Sequence, residues 1–196
     1  MSRYVADLLV KRAGSGFVQH MASVAEEQRN PVLRGWAFEL GFFVEIEQAV
    51  RERRSVQVKV CGSGNNVESW PATVVSNFDP KEFKVPDILD AWARPIAWNQ
   101  GGYDAVLLTS VGDGKVAVRV VQVTAGITHS LKLNYVESLL QRVVKEGSVV
   151  DRVDIVFVVP RASAFRVGSI SGSGKTLQAL GWRSGNEPSK VRVVEL

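Results

Sequence analysis

The sequence predicts a single α/β domain over residues 1–196, a mixed sheet with helices on its faces. Three observations carry this. A long helical stretch precedes a set of short strands. Two of those strands flank a tight Gly-Asp-Gly-Lys turn at Gly112–Lys115 and form a hairpin. A second amphipathic helical stretch then leads into an apolar strand, an order that lets a helix cross between parallel strands. The core is expected over about residues 31–160, with a hairpin and a last strand in 161–196.

PVLRGWAFELGFFVEIEQAVRERR, Pro31 to Arg54, reads as a helix. Pro31 suits its first turn, and Leu33, Trp36, Phe38, Leu40, Phe43, Val44, Ile46 and Val50 give it a broad apolar face. Phe17 to Glu27 is expected to form a shorter helix upstream. SVQVKVCG alternates apolar and polar residues up to a turn at Gly62-Ser63-Gly64. Trp70–Ser76 suggests another short strand. Asn77–Asn99 holds Pro80, Pro86 and Pro95 and reads as a structured connection with a helical turn over Pro86–Trp92. YDAVLLTS and VAVRVVQVT are the hairpin strands. THSLKLNYVESLLQRVVKEG reads as one amphipathic helix stopping at Gly147, with Leu131, Tyr135, Leu139 and Val143 four apart. DRVDIVFVVP is an apolar strand, and KVRVVEL is the last one.

Composition narrows the chemistry. One cysteine, Cys61, excludes an internal disulfide and a Cys-built zinc site, and two histidines, His20 and His129, disfavour a multi-His centre. Any catalytic metal would be hard and oxygen-bound. The net charge of +4 and pI of about 9.4 suit a polyanion partner without demanding one. No run of about 18 apolar residues predicts a membrane span. The apolar segment of MSRYVADLLVKRAGSG is too short for a signal peptide. Composition leaves the oligomeric state open.

The polar residues on this scaffold are more informative. Asp104 begins the first hairpin strand and Gln122 ends the second, so a turn midway brings both to one end of adjacent strands. Glu39 lies inside an apolar helix, where a carboxylate needs a reason. His129 and Lys132, three apart, share a face if their segment is helical.

These features resemble the PD-(D/E)xK nuclease superfamily, the restriction-endonuclease-like fold, whose core is α-β-β-β-α-β. Its pattern has an acid on the second core strand and (acid or Gln)-x-Lys on the third. Asp104 matches the first, and Gln122-Val123-Thr124 matches the second except that Thr124 stands where the lysine belongs. A closer resemblance is to the C-terminal nuclease-like domains of Crinkler effectors and retrotransposon-hot-spot proteins. It rests on RGWAFEL (Arg34–Leu40), YDAV (Tyr103–Val106), QVTAGITHSLK (Gln122–Lys132) and VFVVP (Val156–Pro160). The resemblance implies a Mg²⁺- or Mn²⁺-dependent DNA endonuclease. Asp104 would be the central metal ligand, Glu39 a second, and Gln122 a third through its carbonyl. Lys132 would replace the missing lysine, and His129 would carry a proton or touch a phosphate. The resemblance further implies a secreted effector acting inside a host cell, in its nucleus, with a host protein as a second kind of partner.

Plainer roles exist for each residue. Asp104 would cap its strand, Glu39 would pair with Arg34 or Arg119, Gln122 would satisfy backbone at a sheet edge, and His129 and Lys132 would be solvated. An inactive relative that only binds DNA or a host protein is the first alternative. A P-loop NTPase or kinase is the second, suggested by SISGSGKT (Ser169–Thr176), but the pattern needs glycine where Ser169 stands. That stretch is read instead as a flexible basic hairpin loop whose Lys175 could reach a phosphate, with Arg51 and Arg54 as further nucleic-acid contacts.

Overall fold

A computed structural model describes residues 16–61, 66–96 and 102–196. The turn expected at Gly62-Ser63-Gly64 lies outside them. Residues 16–27 are helical (α1) and lead through Asn30 into α2, Pro31–Glu52. The Asn30 Oδ1 accepts the N–H groups of Val32 and Leu33 at 3.1 Å each, satisfying donors that the first turn leaves orphaned. Pro31 needs no such partner. α2 ends where Arg53 turns left-handed at φ 54°.

The strands are β1 Val56–Val60, β2 Val67–Trp70, β3 Val74–Phe78, β4 Ala91–Pro95, β5 Ala105–Ser110, β6 Lys115–Val123, β7 Thr128–Lys132, β8 Val149–Val159, β9 Arg166–Ser171 and β10 Val191–Glu195. Helix α3 spans Leu133–Lys145, and two short helices, α4 (Lys175–Ala179) and α5 (Glu187–Lys190), precede β10. Eight strands form one mixed sheet in the order β2-β1-β10-β8-β6-β5-β4-β3, while β7 and β9 pair parallel as a separate ribbon. Within the large sheet, β4, β5 and β6 are successively antiparallel, and β8 returns parallel to β6 after α3.

Strand alternation splits the core into two layers. On one face Phe42, Phe43, Ile46 and Ala49 of α2 pack on Trp92, Leu107, Val121, Val123 and Val156. On the other Leu133, Val136, Leu139, Leu140 and Val143 of α3 pack on Val106, Val118, Val120, Ile155 and Phe157. The predicted α/β class, with helices on both faces of a mixed sheet, is therefore observed.

Several local expectations are corrected. The Pro86–Trp92 helical turn does not form; instead Ala91–Pro95 is a buried strand between β3 and β5. Arg94 disguises it, yet its guanidinium is buried, 3.9 Å over the Phe43 ring. Trp70–Ser76 is not one strand but the end of β2 and the start of β3. The helix expected from Thr128 starts only at Leu133, because Thr128–Lys132 pairs with β9. The stretch Gly172–Gly174 is no hairpin loop, since it joins β9 to α4.

Candidate functional site

Strands β6, β8 and β10 run parallel, so their carboxyl ends open on one side of the molecule. Sites in open α/β sheets form just outside such ends. Because β5 runs antiparallel to β6, its first residues arrive at this same end. The sequence places Asp104 there. Its backbone N–H donates to the Val121 carbonyl at 2.8 Å, and its Oδ2 accepts the Val123 N–H at 2.8 Å. Asp104 thus straddles Gln122 and extends the hairpin ladder by its side chain. Gly102, at φ 92°, lies close against the start of α3: a Cβ there would sit 2.8 Å from the Tyr135 Cβ and 3.1 Å from the Lys132 carbonyl oxygen.

Gln122 lies on the α3 face, flanked by Phe157 across the β6–β8 pair, and is 7% exposed. Its Nε2 is 2.6 Å from Nε2 of His129. Its Oε1 is buried and has no hydrogen-bond partner among the described residues. The histidine stands on β7, opposite Val167 of β9, with its ring centroid 5.9 Å from that of Phe157, which in turn lies 5.1 Å from Phe165. Burial pushes the His129 pKa down, so the ring is neutral at pH 7 and keeps one nitrogen as an acceptor.

The structure thus brings Asp104, Gln122 and His129 together. Lys132 is near but differently placed. It is the last residue of β7 and is exposed, and along the strand the half-buried and buried residues are His129 and Leu131. The shared helical face expected for His129 and Lys132 is absent because the segment is extended. Glu39 belongs to α2, the helix covering the opposite face of the sheet from Gln122. The two arginines expected to pair with it bind others: Arg34 lies 3.9 Å from Glu26, and Arg119 lies 2.8 Å from Glu68 and 3.1 Å from Asp154. Arg54 is committed to Glu45 and Glu52. Arg51 and Lys175 are exposed on α2 and α4, away from one another in sequence and with no shared element.

The phosphate-loop resemblance has a structural explanation. Glu137, buried in the apolar face of α3, inserts its carboxylate into the Gly-Ser-Gly-Lys-Thr turn. Oε1 accepts the Thr176 N–H at 3.1 Å and Oε2 the Leu177 N–H at 2.9 Å, while Gln141 donates to Oε1 at 2.9 Å. A Cβ at Gly174 would overlap the Glu137 carboxyl group, so glycine is required there by close approach. Burial acts to raise the Glu137 pKa, but the Leu177 and Thr176 donors and Gln141 hold it below the usual carboxylate range. An internal anion therefore fills the place a nucleotide phosphate would need, and α4 is five residues long. The NTPase reading loses its support.

On the α2 side of the same sheet end lies a groove of about 1040 Å³. Phe38 and Glu45 of α2, the Ala125–Ile127 turn after β6, and Arg161 after β8 line it. Sequence reasoning missed this groove, since its walls come from six separate segments. The signal available was that Arg161 comes two residues after the end of an apolar strand.

Asp104 and Gln122 are neighbours across the β5–β6 hairpin at this end of the sheet, the Asp104 carboxylate on the Val123 N–H and the Gln122 amide on His129. A carboxylate and an amide side chain are the donor types that a hard divalent cation takes, but the Gln122 Oε1 is fully buried and lines no described cavity. Among the described residues no group of three or more His, Cys, Asp and Glu is placed to hold a metal. Comparison with family models, curated proteins and solved structures finds no match to this chain.

Proposed function

We propose that this chain is a metal-dependent nuclease domain of restriction-endonuclease-like fold that hydrolyses DNA. The antiparallel β4-β5-β6 meander, the α3 crossover and the parallel return of β8 support that fold. One observation carries the functional reading: Asp104 sits beside Gln122 at the carboxyl end of β6, and the Gln122 Oε1 is buried with no donor among the described residues. Asp104 and the Gln122 carbonyl would hold Mg²⁺ or Mn²⁺. Such an ion supplies charge neutralisation on the phosphate and acidifies bound water. Lys132, at the β7–α3 junction, offers an exposed positive charge to a backbone phosphate. The resemblance to Crinkler effectors extends the proposal to action within a host cell.

A second reading, DNA or host-protein binding without cleavage, is favoured by two placements. Thr124 stands where the family has lysine, and Glu39 lies on the helix of the other face. Plasmid and single-strand cleavage with Mg²⁺, Mn²⁺ or EDTA separates the two. Metal-dependent cutting supports the enzyme, whereas DNA retention without cutting supports the binder.

A further inference from the structure

We propose that the outer face of the β7–β9 ribbon is a phosphate-contacting surface for double-stranded DNA. The inference rests on the reading of this chain as a protein that acts on DNA, and it does not require cleavage. Charge is spread unevenly along the sequence. Residues 114–136 and 155–186 contain seven of the 24 lysines and arginines and none of the 20 aspartates and glutamates. The rest of the chain carries 17 cations against 20 acids, so the surplus of +4 comes wholly from these two stretches. β7 belongs to the first and β9 to the second, and their parallel pairing lays the two acid-free stretches side by side.

The ribbon has one apolar face and one polar face. Leu131 of β7 and Val167 and Ile170 of β9 pack with the core layer of α3. Thr128, Ser130 and Lys132 of β7 and Arg166, Ser169 and Ser171 of β9 are exposed. Hydroxyls, lysines and arginines are the side chains that contact phosphates. Ser169 donates to Ser130 across the pair at 3.0 Å. Gly168 keeps that seam close, since a Cβ there would lie 3.1 Å from the Ser130 Oγ and 3.2 Å from the His129 carbonyl oxygen. Arg166 donates only to the Ser163 and Phe165 carbonyls, bonds that bring no counter-charge.

Cations mark both ends. Arg166 stands opposite Thr128 at the start of the ribbon, and Lys132 opposite Ser171 at its end. Four residues of strand separate these ends by about 13 Å. Along one strand of a duplex that is the axial rise of about four phosphates. Lys175, also exposed, follows where β9 gives way to α4. The Lys132 end lies against Gly102, two residues before Asp104. The composition of the face selects its occupant. Single-strand binders stack bases on aromatic side chains, and none of the exposed ribbon residues is aromatic. Peripheral membrane binding buries apolar side chains, and the exposed ribbon residues include none.

The test is fluorescence anisotropy of a labelled mixed-sequence duplex with the full chain, in EDTA so that cleavage cannot intervene, from about 50 to about 200 mM salt. Lys132→Gln, Arg166→Gln and Lys175→Gln together are compared with Lys115→Gln, Lys145→Gln and Arg152→Gln, an equal loss of charge at exposed positions of β6, α3 and β8. The ribbon triple should weaken binding by at least about ten-fold at about 100 mM salt and lower the slope of log K against log salt by about 3. The other triple should cost less than about three-fold. Lys132→Gln alone should lower the slope by about 1, a reading that stands even where the triple fails to fold. Equal losses in the two triples, or a ribbon triple that binds as wild type does, overturn this proposal and leave the DNA reading in place. Tighter binding of the matching single strand, or binding of phosphatidylserine vesicles without the duplex, also overturns it. No duplex binding by a folded wild type overturns both the proposal and the DNA reading.

Discussion

At the residue scale, the chain uses carboxylates to finish backbone ladders. Asp104 accepts the Val123 N–H where β5 runs out, and Glu137 accepts two N–H groups where α4 begins. The second arrangement makes two predictions. Gly174→Ala should lose about 1–3 kcal/mol through overpacking against the Glu137 carboxylate. For a domain of this size each kcal/mol is roughly 2–4 °C in Tm. In a Glu137→Ala background the added methyl has room, so the extra cost should vanish in a urea-denaturation cycle; an undiminished cost would place the strain elsewhere. Glu137 also links stability to pH. Its folded pKa lies below that of an ordinary glutamate. The unfolded chain therefore binds the proton first, and the contribution is whole above about pH 4.5 and lost as pH falls through the folded pKa. Glu137→Gln should flatten that acid limb, which urea midpoints from pH 6 down to pH 3 would reveal.

The sequence signalled these residues unevenly. The Asp104–Gln122 juxtaposition was legible because a Gly-Asp-Gly-Lys turn folds the hairpin between them, and Gly112, Asp113 and Gly114 do adopt positive φ. Glu137 was not, since its partners lie 39 and 40 residues away. Its one clue was a carboxylate between Val136 and Leu139 on an apolar helix face.

At the element scale, α2, β5, β6, β8 and β10 follow their local pattern, and β4 and β7 do not. Thr-His-Ser-Leu-Lys fits the apolar spacing of the helix after it, and only its pairing with β9 makes it a strand. β4 is five residues carrying Trp92, Arg94 and Pro95, legible only once β3 and β5 are known to flank it. That mistake mattered for function, because reading His129 as helical put it on a face with Lys132 and not against Gln122. The Asn30 cap gives a prediction for α2. Asn30→Ala should cost about 1 kcal/mol, as Val32 and Leu33 lose their acceptor. Thermal denaturation measures it, and an unchanged Tm would mean that the cap contributes nothing.

At the scale of the whole molecule, the α/β class was legible because helical and strand periods alternate along the chain. The extent of the sheet was not, because β10 closes it from the far end of the sequence, between β1 and β8. That closure sets three parallel carboxyl ends side by side, and the candidate site and the groove both lie there. No described helix is long and apolar enough to cross a membrane. Arg54, Arg34 and Arg119 are spent on internal ion pairs. A DNA partner would therefore meet other exposed cations, such as Lys132 and Lys175, and its affinity should fall with salt.

The most direct test of the account is plasmid cleavage in Mg²⁺ or Mn²⁺ by wild type beside Asp104→Asn. Asparagine keeps an acceptor for the Val123 N–H, so the fold should survive, while the charge that would hold the metal is gone. The account predicts metal-dependent cutting that falls by about 10³-fold in the variant. Cutting unchanged in Asp104→Asn, or none in any metal by a folded wild type, would contradict it.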